Sequence, residues 1–215
     1  MTQILNTSGE VLVKGKGTVK ELLTDAAILG TSLNGARLIN MDLPGINLEN
    51  ARLSNANFSG TNLDEVNLKY AKMNNALLQG TNLSNSSLNF ANLECAHLVG
   101  ATLVNTSLAN TFMRGTYLGK VNLKGIKNYY DSREIFHELV RRLPSQSVTS
   151  EEWGMVGMIM THSLCWVSIH RRFRNKIVPL FEMIANLGFN EYLNKYEGKE
   201  TNDEKSDSIS GIQES

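Results

Sequence analysis

The chain has 215 residues, 41% hydrophobic and 20% charged, with 21 basic and 21 acidic side chains and no formal net charge. That balance excludes a protein that neutralises many phosphates through a basic excess, and equally a wholly acidic mimic of nucleic acid. Two cysteines, Cys95 and Cys165, without CxxC spacing argue against a disulfide framework or a cysteine-rich zinc site, so a reducing, cytoplasmic location is expected.

The chain opens without the basic-then-apolar run of a secretory signal. Residues 2 to 14 read as two short strands, Thr2 to Leu5 and Glu10 to Lys14, around the turn Asn6-Thr7-Ser8-Gly9. Thr18 with Glu21 is a capping-box signal, and Val19, Leu22, Leu23, Ala26 and Leu29 come after it at helical spacing up to Gly30. Residues 1–30 are therefore expected to form a hairpin and helix that cap the segment beginning at Thr31.

From residue 33 to residue 123 every fifth position is apolar: Leu33, Leu38, Leu43, Leu48, Leu53, Phe58, Leu63, Leu68, Met73, Leu78, Leu83, Leu88, Leu93, Leu98, Leu103, Leu108, Met113, Leu118 and Leu123. Neither a 3.6-residue helix nor a two-residue strand holds such a period on one face. The same register extends back to Ile28 and Leu23, so two more repeat units are the alternative to the helix at 18–29; the helix is preferred because its start, face and stop coincide. Two residues ahead of each large position runs a column of small or β-branched residues, Thr31 through Val121, with Met41 and Ile46 the bulky exceptions. One large and one small inward side chain per pentad suits a narrow, filled interior. The fifth position is Gly or Asn at 14 of 19 units, the residues most tolerant of left-handed corners. The other positions are expected to face outward, so that Asn74 and Ser84 should accept substitution almost neutrally.

Units such as Thr61-Asn62-Leu63-Asp64-Glu65, Ala91-Asn92-Leu93-Glu94-Cys95 and Ala51-Arg52-Leu53-Ser54-Asn55 resemble the A(D/N)LXX motif of pentapeptide-repeat proteins. The resemblance implies a mainly β solenoid, a right-handed quadrilateral β-helix with four units per coil, and nearly five coils over residues 31–125. Open solenoid ends require caps or a partner.

Beyond Gly125 the composition changes. Asp131 with Glu134 starts a helix bearing Ile135, Phe136, Leu139, Val140 and Leu143, stopped by Pro144; Thr149 with Glu152 caps a second from Ser150 to about Arg174. Pro179 suits the first turn of a third, with Leu180, Phe181, Met183, Ile184 and Leu187 as its stripe and Gly188 as its stop. Residues 126–196 thus read as an α-helical bundle and residues 197–215 as a disordered tail. The segments Arg133 to Leu139 and Leu164-Cys165-Trp166 resemble the helical extension of some bacterial and phage members of the family, which implies no activity. The uncharged run from Trp153 to Ile169 is short for a membrane span and reads as a buried helix.

No Walker loop, GxGxxG, HExxH or GxSxG occurs, so no catalytic residue, cofactor or metal is assigned and the chain is read as a non-enzyme. His162, Cys165 and His170 supply fewer ligands than a zinc site needs. The candidate interaction residues are Trp153, Met155, Met158 and Trp166, an apolar face suited to self-association, and the basic cluster Arg171, Arg172 and Arg174. The expected function is a protein-interaction scaffold, a homodimer or docking module with a protein partner and neither membrane nor nucleic acid. The alternative is a DNA-mimicking modulator of DNA gyrase. Some family members act so through an acidic rod, whereas here Arg37, Arg52, Lys69, Lys72, Arg114, Lys120 and Lys124 outnumber the acids within 31–125.

Overall fold

Each pentad of the repeat pairs with the pentad twenty residues further on. The computed structural model describes residues 1–129, 133–143, 148–150, 156, 177, 179–180 and 182–189. Within these, parallel bridges run at every fifth residue from Ser32↔Arg52 to Ser107↔Lys127. The residue before each large apolar position carries the bridge. The Leu63 N–H donates forward to the Asn82 carbonyl at 2.7 Å, and the Asn62 N–H donates back to the Met41 carbonyl at 2.8 Å. Four pentads therefore close one coil, and the repeat is a β-helix solenoid built of four parallel ladders.

The interior is filled by the two columns. All nineteen large residues from Leu33 to Leu123 are 6% exposed or less. The small column is buried from Ala36 onward, with Met41, Thr111 and Thr116 half-buried. Thr31, expected to face inward, is exposed, because its N–H still bonds the Ala26 carbonyl at 2.8 Å as the chain leaves the preceding helix. Ile46, the bulky exception, is accommodated at 2% exposure.

All nineteen corners from Gly35 to Gly125 are left-handed, with φ between 52° and 71°. Seven are Gly and seven Asn, whereas Glu65, Tyr70, Phe90, Cys95 and Lys120 hold this conformation against their side chains, at roughly 1–2 kcal/mol each.

Strands β1 (Thr2–Leu5) and β2 (Val11–Gly15) pair antiparallel. Strand β2 begins one residue later than the sequence suggests, since Glu10 closes the turn: its carbonyl accepts the Asn6 N–H at 2.9 Å and its N–H donates to Asn6 Oδ1 at 2.8 Å. Helix α1 (Val19–Ile28) starts at the Thr18 capping box and buries Leu22, Leu23, Ala26 and Ala27; residues 18–29 are thus helix and not two further repeats. The hairpin continues the first coil's edge, where the Thr7 N–H donates to the Gly35 carbonyl at 3.0 Å and the Arg37 N–H to the Leu5 carbonyl at 2.8 Å. Backbone that would otherwise end the ladder is satisfied there. Met41 lines an open cleft of about 400 Å³ with Ile4, Val19 and Ile39 at this junction.

The chain folds into two compact units, Met1–Glu138 and Leu139–Ser215. The first runs past the last repeat into helix α2 (Arg133–Arg141), whose Ile135, Phe136, Leu139 and Val140 are buried. In the second, residues 177, 179–180 and 182–186 are helical and Gly188 ends the segment at φ 92°, bonding the Ala185 carbonyl at 2.8 Å. Leu187, expected on the apolar stripe, is 43% exposed. The second helix, from residue 150 to 174, and the tail fall almost wholly outside the described residues. No helix among the described residues is long and apolar enough to cross a membrane.

Candidate functional site

With the interior filled by side chains, the solenoid's chemistry lies on its outward columns, in which residues twenty apart are stacked neighbours. The commonest residue there is Asn, and each use has a cause. In the position before the large residue, Asn Oδ1 accepts the N–H two residues on, as from Ser59 to Asn57 at 3.0 Å and from Glu94 to Asn92 at 2.9 Å. This is the Asx turn that sets up the corner. The amide then reaches the neighbouring coil: Asn62 Nδ2 donates to Asp42 Oδ1 at 2.7 Å, and Asn82 Nδ2 to Asn62 Oδ1 at 3.0 Å. A second ladder at the next corner joins Asp64, Asn85 and Asn105. Sequence reading placed Asn at corners but missed the ladders, for which the twenty-residue recurrence of Asn was the available signal.

Asn74 and Ser84 do face outward, but they are half-buried and engaged: Ser54 Oγ donates to Asn74 Oδ1 at 2.7 Å and Ser84 Oγ to Asn82 Oδ1 at 2.6 Å. The expectation that they vary freely is corrected accordingly, since each substitution removes a hydrogen bond.

The outward columns are not chemically equal. One ladder carries Arg52, Lys72, Asn92 and Phe112 in succession, and the adjoining one Asn57, Leu77, His97 and Tyr117. The His97 and Tyr117 rings stack with centroids 4.4 Å apart, and Tyr70 and Phe90, at successive positions of one corner, stack at 5.0 Å with planes 10° apart. Phe112 is 62% exposed and Tyr117 55%. Arg114 Nε pairs with Glu94 Oε1 at 2.7 Å, and its side chain is almost wholly in water, where such a pair contributes little. Sequence reading missed these aromatic pairs; the spacing of twenty was again the signal.

Trp153, Met155, Met158, Trp166, Arg171, Arg172 and Arg174 lie outside the described residues, as do His162, Cys165 and His170. Cys95 is a free thiol on an exposed corner. Among the described residues no group of His, Cys, Asp and Glu side chains is placed to hold a metal ion.

The family profile of pentapeptide repeats matches residues 31–69, 61–94 and 86–125. Residues 31–125 belong to the pentapeptide repeats. This pentapeptide-repeat region coincides with the ladder, the inward columns and the left-handed corners. Among solved structures, the chain is similar to a pentapeptide repeat protein from Nostoc PCC 7120, at 27% identity over 54% of this chain and 100% of that one, with a TM-score of 0.26. It is also similar to one from the thylakoid lumen of Arabidopsis thaliana, at 24% identity over 51% and 74%, with a TM-score of 0.28. Similarity to QnrB1, a plasmid-mediated fluoroquinolone resistance protein, stands at 14% identity over 43% and 67%, with a TM-score of 0.22. No curated protein matches the chain.

Proposed function

We propose that the chain is a non-enzymatic interaction scaffold: the pentapeptide-repeat solenoid presents fixed outward columns to a protein partner, and the helical region beyond residue 126 docks or self-associates. The observation that carries this reading is the filled interior, with nineteen large side chains at 6% exposure or less. A tube packed to that degree holds no substrate, and its function falls to a rigid surface on which side chains recur at the ~4.8 Å spacing of adjacent strands. The match of residues 31–125 to pentapeptide repeats supports the same reading.

Immobilised full-length chain should retain a defined protein from extract of its host, and lose it when exposed outward residues are changed while the melting temperature holds. Retention that is indifferent to every outward column would retire the scaffold role. Sedimentation velocity tests the self-association arm, for which a monomer at tens of micromolar is the failing result. A gyrase supercoiling assay without inhibition or protection disposes of the DNA-mimic alternative, which the basic excess on the solenoid already disfavours.

A further inference from the structure

We propose that the corner built on Tyr70 and Phe90, together with Arg52, Lys69 and Lys72, is a docking surface for an acidic segment of a partner protein. The proposal rests on the scaffold reading and adds to it a place on the solenoid and a chemistry for the partner.

The corner is unusual for its backbone. Tyr70 and Phe90 stand at φ 59° and 60°, where fourteen of the nineteen corners use Gly or Asn. A bulky aromatic in the left-handed region is an outlier, and retained strain of this kind points to a role for the side chain rather than for the fold. The side chains are also poorly buried, at 48% and 42% exposure, although they stack on each other at 5.0 Å. Phe112, 62% exposed, extends the apolar strip by succeeding Asn92 on the next coil of the adjoining ladder.

Cations flank the strip. Lys69 immediately precedes Tyr70, Lys72 comes two residues later, and Arg52 is bridged to Lys72 in the preceding coil. All three are exposed, and none makes an ion pair among the described residues, where Arg114 pairs with Glu94. Two acids lie on this side: Glu49, one coil before Lys69, whose carboxylate accepts Asn67 Nδ2 at 3.0 Å, and Glu94, in the coil after Lys72, whose carboxylate is held by Arg114 at 2.7 Å. Three free cations around one exposed aromatic pair complement an anionic chain that also carries apolar side chains.

Single-stranded nucleic acid is the other polyanion of this description, and the ring geometry disfavours it. Base stacking needs a run of open aromatic faces. Tyr70 and Phe90 cover one face of each other, and the same corner continues into Asn50 before them and Asn110 after them. A polypeptide needs only the ring edges for an apolar side chain and the flanking cations for its carboxylates.

The test titrates full-length protein into two fluorescein-labelled probes, a short peptide of Glu and Leu and an oligothymidylate of equal charge, read by anisotropy at two salt concentrations. The expected result is saturable, salt-sensitive binding of the peptide that weakens at least tenfold in Tyr70→Asn/Phe90→Asn and in Lys69→Gln/Lys72→Gln. Asn suits the corner, so the aromatic variant keeps its fold, verified by its melting temperature. Absence of saturable peptide binding, unchanged affinity in both variants, or tighter binding of the oligothymidylate overturns the proposal. Residues 197–215 are themselves acidic, with six Asp or Glu against two Lys. Tighter peptide binding by full-length Asp203→Asn/Glu204→Gln/Asp207→Asn would give the surface to the chain's own tail and overturn the assignment to a partner. An aromatic variant that still retains the host protein retires this corner while leaving the scaffold reading standing.

Discussion

The Thr81 hydroxyl donates to the Phe58 carbonyl at 2.8 Å, crossing from one coil to the preceding one, with both groups buried. The same reach of twenty-three residues recurs from Ser86 to Leu63 at 2.9 Å, Thr106 to Leu83 at 2.7 Å, Thr111 to Leu88 at 2.8 Å and Thr116 to Leu93 at 2.9 Å, and Thr61 bonds Leu38 likewise. The small column therefore does two jobs. Its alanines and valines fill space, and its hydroxyls tie the corner-side carbonyl of one coil to the next while satisfying themselves in an apolar interior.

Thr81→Val keeps the shape and removes the donor. The Phe58 carbonyl retains the Thr61 N–H at 2.9 Å, so no acceptor is stranded. The expected loss is that of one hydrogen bond, about 0.5–1.5 kcal/mol in chemical denaturation. Thr81→Ala should lose more, because it adds a void to the lost bond. Equal stability of all three proteins would show that the hydroxyl ladder contributes nothing.

The inward columns were legible in the sequence because burial imposes a strict rule on them: a slip at Leu63 or Leu83 would leave a hole or a charge in the core. Corners were legible for a related reason, since Gly and Asn relieve a backbone demand repeated nineteen times. Thr61, Thr81 and Thr106 could be placed inside but not assigned partners, because a bond across twenty-three residues requires the coil length in advance. Outward pairs such as Tyr70 with Phe90 obey no burial rule at all, and only the twenty-residue stacking brings them together. Thr31 misled because it fits the repeat register while its N–H still completes the end of helix α1.

Leu83 and Ala91, both fully buried, test the two columns from opposite directions. Leu83→Asp places an unpaired carboxylate in the interior and should leave the solenoid unfolded, by circular dichroism and by loss of a cooperative melt. Ala91→Phe overfills the narrow column and should cost about 1–3 kcal/mol or more. A parent-like melt in both variants would mean that neither side chain points inward.

Glu65 holds a corner at φ 58° that Asn occupies elsewhere. Glu65→Asn should stabilise the protein by about 0.5–1 kcal/mol, as backbone strain is relieved. The reverse change, Asn75→Glu, at a corner with the same φ, should cost a similar amount. Midpoints of denaturant unfolding that moved together, rather than in opposite directions, would show that corner conformation is not the controlling variable.

The start of helix α1 carries a pH dependence of defined sign. The Glu21 carboxylate accepts the Thr18 backbone N–H at 2.7 Å and the Thr18 hydroxyl at 3.1 Å, and these bonds hold its pKa below the ordinary glutamate value, the backbone bond more than the hydroxyl. Because the folded value is the lower one, the cap's contribution is fully present above the unfolded carboxylate range near ~4.3 and is lost as pH falls through the folded value. Protonation removes the acceptor charge while Thr18 Oγ1 still accepts the Glu21 N–H at 3.2 Å, so one half of the capping box survives in acid. Amide exchange in the first turn of α1 should therefore show extra opening of Thr18 on acidification, beyond the change in intrinsic exchange rate, while the Glu21 amide stays protected. Glu21→Gln should show the same Thr18 opening at neutral pH as in acid. Equal pH dependence in the parent and in that variant would place the titrating group elsewhere.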